Sequence, residues 1–172
     1  MEESAVPSSD RRRRRWIIGG IAGVVVVAAL AFALAYFQPQ KLFIDEHVDE
    51  ALPAAPADAP AAVAERSGSF VSLEHTTTGR ATIYRQVDGK RFLRLEDLHT
   101  SNGPVLVVYL TANPAQGPEG AFDDNFIDLG GLKGNIGDQN YELPADIDLS
   151  RYASVVIWCD RFDAAFGAAD LA

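Results

Sequence analysis

From about residue 66 onward the sequence predicts an all-β fold, an antiparallel β-sandwich or barrel of about eight short strands. Three observations carry that reading. Short apolar runs alternate with period two, turn-forming clusters recur every ~10–15 residues, and no 3.6-residue periodicity is sustained. The 107 residues from 66 to 172 suffice for such a domain without disulfides. Ahead of it the sequence predicts one transmembrane helix and a Pro/Ala-rich stalk.

The helix comes first in the chain. Residues 16–37 carry no charged side chain. At about 1.5 Å per residue these 22 residues span roughly 33 Å, enough for a hydrocarbon core of about 30 Å. Five arginines at positions 11–15 precede it. The positive-inside rule places that end in the cytoplasm and the rest of the chain outside. Trp16, Tyr36 and Phe37 sit at the two ends, where aromatic rings favour the interface. Gly19 and Gly23 have the spacing that lets membrane helices approach closely. Ala33-Leu34-Ala35 has the small-x-small form of a cleavage site, so a cleaved signal peptide is the competing reading. The apolar stretch exceeds the usual signal core of about 7–15 residues, which favours an uncleaved anchor. The expected division is a cytoplasmic tail (1–15), an anchor (16–37), a stalk (38–65) and an extracytoplasmic domain (66–172). That makes a single-pass protein of the cell membrane.

The stalk is read from composition. Residues 41–50 mix apolar and acidic side chains and can continue the helix for a turn or two. Residues 52–64 are almost all Ala and Pro, with Pro53, Pro56 and Pro60. Such a segment favours extended polyproline II at about 3.1 Å per residue.

The strands follow. Residues 68–75 alternate around Phe70 and end in the turn material Thr76-Thr77-Thr78-Gly79. Residues 80–87 put Ala81, Ile83 and Val87 on one side. Asp88-Gly89 is a strong hairpin signal. Residues 90–95 answer with Phe92 on one face and Leu93 and Leu95 on the other. Asn102-Gly103-Pro104 turns the chain into the apolar strand 105–111. A Pro/Gly loop (113–120) leads to a short strand at 125–130 and a glycine-rich run at 130–137. Residues 139–143 form a brief strand stopped by Pro144. Residues 154–159, SVVIWC, make an unbroken strand with Val155, Ile157 and Cys159 on one face and Val156 and Trp158 on the other. Residues 164–171 close the fold.

Net charge is −9, and beyond residue 37 ten Lys/Arg face 21 Asp/Glu, a net of −11. Without clustered cations the domain has no footprint for nucleic acid. Cys159 is the only cysteine. It cannot make an internal disulfide, so the thiol is free, paired between chains, or ligated.

Each chemical candidate has a plain structural alternative. Cys159 is either a small buried hydrophobe or a redox thiol at the point where its strand leaves the core. Arg161 favours a low thiol pKa, while Asp160 and Asp163 oppose it. His47, His75 and His99 have no metal-ligand spacing and read as exposed or turn histidines. Asp123, Asp124 and Asp128 fail the calcium-loop spacing. The glycines of 130–137 fit neither the P-loop nor the dinucleotide fingerprint. No hydrolase or transferase constellation stands out, and the sequence names neither a metal nor any cofactor.

Several phrases together resemble one family. They are Gly68-Ser69-Phe70 with His75 and Gly79, Leu95-Glu96-Asp97-Leu98, and Ser101-Asn102-Gly103-Pro104 with Val108-Tyr109-Leu110. The most specific are Leu132-Lys133-Gly134-Asn135-Ile136-Gly137-Asp138-Gln139-Asn140-Tyr141 and Val155-Val156-Ile157-Trp158-Cys159. In order and spacing they are similar to the DM thirteen domain, also called the electron-transfer DM domain, over about 66–171. The resemblance implies an extracellular β-rich domain, found in animals beside DOMON and cytochrome b-type modules. It implies a part in electron transfer, with the cysteine of the Trp-Cys phrase, Cys159, at its centre. Many relatives have an acidic residue after the Asn-Gly-Pro turn and a polar or aromatic one two places on; here these are Val105 and Val107.

Two functions stand open. One is a membrane-anchored redox domain with Cys159 as thiol or ligand, in a shallow pocket with Trp158, Tyr141 and Lys133 and served by an envelope redox partner. The other is a non-catalytic envelope module that binds polysaccharide or protein, with Cys159 in the core. The phrase 133–141 carries its own alternative, since amide-rich turns hold hairpins by bonding their own backbone.

Overall fold

The computed structural model describes residues 8–39, 41, 44–53 and 60–172. The chain divides into two compact units, 1–38 and 39–172. In the first, α1 (Ser8–Phe37) is one continuous helix. Its apolar residues from Trp16 to Phe37 run round every side of the helix and not along one stripe. It is one helix long and apolar enough to cross a membrane.

The second unit is a β-sandwich, ten strands in two five-stranded sheets among the described residues. In chain order the strands are β1 (His47–Asp49), β2 (Val63–Ser69), β3 (Val71–Ser72), β4 (Thr78–Arg85) and β5 (Arg91–His99). They continue as β6 (Leu106–Thr111), β7 (Phe126–Gly131), β8 (Ile136–Glu142), β9 (Ser154–Cys159) and β10 (Ala164–Asp170). The first sheet runs β1-β8-β5-β4-β2 and the second β3-β10-β9-β6-β7. All pairs are antiparallel except β1 with β8, which is parallel. Two packed sheets, rather than one closed barrel, are the outcome, with one seam stitched where Ser67 and Ala172 exchange backbone hydrogen bonds.

The alternation read from the sequence fills the space between the sheets. Ala81, Ile83, Leu93, Leu95 and Leu98 come from the first sheet. Leu106, Val108, Leu110, Val155, Ile157 and Cys159 come from the second, all nearly inaccessible. A second apolar cluster lies on the other face of the second sheet. There Val107, Tyr109, Val156 and Trp158 are covered by Ala115 and Phe122 of the loop between β6 and β7. This cover explains why β6 and β9 are buried along their whole length.

Three elements differ from the sequence reading. The strand expected over 68–75 breaks at Phe70, whose ring enters the core, so that β2 joins one sheet and β3 the other. Val87 is not a core residue. The hairpin closes with Gln86 N–H on Lys90 O, which turns Val87 out to 60% exposure. Residues 47–49 are a strand and not a helical continuation, because β8 offers an open edge with glycines opposite Val48. The polyproline segment expected over 52–64 lies in part, at 54–59, outside the described residues.

Candidate functional site

Cys159 ends β9 with none of its surface exposed. Its Sγ donates to Pro104 O at 3.2 Å, so the turn 102–104 lies over the thiol. Burial pushes the thiol pKa up and the Asp160 charge adds to it; the Arg161 and Phe162 backbone N–H groups pull the other way. In this state the thiol is protonated and inert. The cover itself is irregular. Asp160 N–H bonds Val105 O, and Val105 holds φ at 54°, a region that β-branched side chains rarely occupy. Beside it opens a cleft of about 260 Å³, lined by Gly103, Val105, Leu132 and Asn135 of the sandwich and by Lys41 and Glu46 of the preceding segment.

The four residues expected to form one pocket are not brought together as a set. Trp158 leaves β9 on the face opposite Cys159 and packs in the second cluster, its ring centre 6.5 Å from that of Phe122. Tyr141 shares the main core with Cys159. Lys133 and Tyr141 do meet, with Lys133 Nζ 5.1 Å from the centre of the Tyr141 ring. Lys133 Nζ also donates to both Glu50 carboxylate oxygens, at 2.8 and 2.9 Å, and to Asn140 O at 2.7 Å.

These contacts belong to a latch. Asn135 is buried and donates to Thr100 O and to Asp45 Oδ1, both at 2.9 Å, while accepting from Glu46 N–H at 2.7 Å. Buried Gln139 donates to Gly134 O at 2.8 Å, and its Oε1 accepts from Tyr141 Oη at 2.7 Å and from Lys133 N–H at 3.0 Å. Asn140 N–H donates to Glu50 and its side chain to Ala51 O. A Cβ on Gly134 would lie 2.5 Å from Glu46 O, and one on Gly137 would lie 2.1 Å from Val48 O. The phrase 132–141 thus holds its own turn and grips residues 44–51 against the edge of β8. Glu50 was not visible as part of this arrangement, since its partners lie some 80–90 positions away.

Burial acts on Glu50 to raise its pKa, but the bonds from Lys133 and Asn140 outweigh it and the net shift is downward. Glu65 is held low by Arg91, with Arg85 adding to the effect against desolvation. Arg94, nearly buried on the outer face of the first sheet, pairs with Glu96 and Asp138 and donates to Glu50 O.

The histidines are dispersed. His75 lies against Phe166 with ring centres 3.8 Å apart, while His47 and His99 are exposed on separate strands. Asp128 accepts from Gly130 N–H within its own turn. Among the described residues no three His, Cys, Asp or Glu side chains converge as metal ligands. Buried side-chain polar atoms all find partners there. Tyr109, on the outer face of the second sheet, donates to Asp160 and stacks on Phe126 at 4.1 Å. Sequence reading missed this pair, because only the loop after β9 brings Asp160 to the β6 phenol.

No curated protein and no solved structure matches the sequence. The sequence profile of the family described as Electron transfer DM13 matches residues 69–171, more than half of the chain. The match runs from the last residue of β2 through Cys159 to just past the end of β10, which takes in both sheets of the sandwich except β1 and the rest of β2. The chain belongs to the electron-transfer DM13 family.

Proposed function

We propose that the chain is an extracytoplasmic electron-transfer domain, tethered by one uncleaved membrane helix, that uses Cys159 as its thiol. Family membership supports the electron-transfer role, and the arginines before the apolar helix support the orientation. The observation that carries the thiol's part is its cover. Pro104 O holds Sγ, and the next residue, Val105, stores backbone strain of about 1–3 kcal/mol. Release of that turn relaxes Val105 and frees the thiol in one movement.

A lone cysteine exchanges electrons only with a second molecule. The Cys159 thiolate attacks one sulfur of a partner's disulfide, the S–S bond to Cys159 forms, and the partner's other sulfur leaves as thiolate. A donor dithiol closes the cycle. Its first thiolate attacks Cys159 Sγ and releases the partner's second thiolate. Its other thiolate then attacks the donor sulfur of the new mixed bond, which returns Cys159 as thiolate, leaves the donor as disulfide and the partner as dithiol. Lys133, Tyr141 and Trp158 have supporting parts in this proposal: Lys133 and Tyr141 hold the fold around the cover, and Trp158 fixes β9 from the other side.

The full chain in detergent micelles, mixed with an aromatic disulfide that releases a coloured thiolate, tests the reading. Slow but complete reaction in native buffer, absent in Cys159→Ser, is expected. Reaction only in denaturant would sink it. Complete burial of Sγ favours a second reading in that event, an envelope binding module for polysaccharide or protein with Cys159 as packing.

A further inference from the structure

The hydrogen bond from Tyr109 to Asp160 is not used by the disulfide exchange at Cys159, and its geometry differs from that of the Tyr84 and Tyr141 phenols. Tyr141 donates to the Gln139 amide, which cannot take a proton. Tyr84 donates at 3.3 Å to Glu96, whose carboxylate also holds Thr82 and Arg94. Tyr109, by contrast, is 6% exposed and donates to Asp160, which lies exposed at the start of the β9–β10 turn. The phenol is inside and its proton acceptor is in contact with water.

Aromatic surroundings complete the arrangement. The Tyr109 ring stacks on Phe126, which is 36% exposed. Trp158 pairs with Val107 across β6 and β9, two residues from Tyr109 on the same face. Diagonal neighbours in an antiparallel pair lie roughly 7–8 Å apart, within reach of large aromatic side chains. Burial first, then the Asp160, Asp128 and Asp123 carboxylates, push the Tyr109 pKa far above its ordinary value, so the group is a neutral phenol throughout the physiological range. A neutral phenol in this position loses an electron only if its proton has somewhere to go.

We propose that Tyr109 is a redox-active tyrosine, oxidised by one electron with Asp160 as its proton acceptor. This rests on the reading that the chain transfers electrons. In the step the Tyr109 O–H bond breaks, the proton passes to Asp160 Oδ1, and the electron goes to a high-potential metal complex, which is reduced by one unit. Return of one electron restores the phenolate oxygen, which takes the proton back from Asp160. The surface patch around Phe126 is the point of approach for the oxidant.

Photogenerated tris-bipyridyl ruthenium(III) is the probe, applied to the full chain in detergent micelles. Tyrosyl radical is read by transient absorption and electron paramagnetic resonance. Wild type is expected to give a tyrosyl signal that Tyr109→Phe largely removes, while Tyr84→Phe leaves it unchanged. Tyr109→Phe keeps the ring and its stacking, so the fold persists. Asp160→Asn is expected to slow radical formation about a hundredfold and to make the rate depend on buffer base, because the built-in proton acceptor is gone. Equal signals from wild type and Tyr109→Phe would overturn the inference, as would an unslowed Asp160→Asn. Cys159→Ser separates the two proposals. A Tyr109 signal retained in Cys159→Ser supports the tyrosine whatever the thiol does. No tyrosyl signal alongside disulfide exchange at Cys159 ends the tyrosine inference alone. Failure of both assays ends the electron-transfer mechanism for this chain.

Discussion

Replacing Gly137 with alanine tests the latch at its tightest point. Gly137 has φ of 100°, which L side chains rarely adopt, and an added Cβ would sit 2.1 Å from Val48 O. A carbonyl belonging to the backbone of β1 cannot swing aside as a side chain can, so β1 has to leave β8. Two losses add. Backbone strain at residue 137 costs about 1–3 kcal/mol. Freeing β1 forfeits the grip of Glu50 N–H on Asp138 O and of Ile136 N–H on Glu46 O, each worth about 0.5–1.5 kcal/mol. The predicted destabilisation is roughly 2–6 kcal/mol. Guanidinium unfolding of the full chain in micelles, followed by Trp158 fluorescence in a Trp16→Phe background, measures it. Amide hydrogen exchange at Glu46, Glu50 and Ile136 reports the strand directly. A loss under about 1 kcal/mol with protection at those amides unchanged would refute the account of β1.

Further predictions concern neighbouring groups. Asn135→Ala orphans Thr100 O and Glu46 N–H and is expected to cost about 2–4 kcal/mol, whereas Lys133→Ala, at a half-exposed pair, costs at most about 1 kcal/mol; both follow from the same unfolding curves. Val105→Gly relaxes a positive φ and is expected to raise stability by about 1 kcal/mol, read as a higher unfolding midpoint. Glu65 has a folded pKa below its unfolded value, so its stabilisation is present above the ordinary carboxylate range and lost as pH falls through the lowered one. Stability measured against pH should therefore show a shallower acid limb in Glu65→Gln. Cys159 runs the other way. Its raised pKa gives stability that is full below the ordinary thiol value and lost as pH rises toward the folded one, so Cys159→Ser should flatten the alkaline limb.

What the sequence made legible was local. The alternation at 154–159 placed Val155, Ile157 and Cys159 on one side and Val156 and Trp158 on the other, and the structure has them so. That same alternation forbids Trp158 and Cys159 from sharing a pocket, which the resemblance alone did not bring out. Asp88-Gly89 marked its hairpin because a two-residue turn signal is independent of the rest of the fold. The parallel strand β1 stayed hidden. Its three residues bury only part of Val48, so no period is present to read, and its partner lies near residue 137. Phe70 could not announce a change of sheet, because one core aromatic fits either sheet equally well. The purpose of Asn135 and Gln139 was half legible. Amides in a glycine-rich turn suggested self-bonding, and Gln139 does bond within 133–141, but Asn135 reaches the segment before the family domain.

The most direct test of the central claim, that Cys159 is a working thiol under a movable cover, is its rate of disulfide exchange in two variants of the full chain. Opening of the 102–105 turn alone predicts that Val105→Gly slows exchange about fivefold, by stabilising the closed turn, and that Gly68→Ala, whose added Cβ would meet Asp170 O at the end of β9 opposite Cys159, leaves it unchanged. Exchange that instead accelerates in Gly68→Ala in step with its lost global stability would show that the thiol is reached only through unfolding, and Cys159 would then be a packing residue of the core.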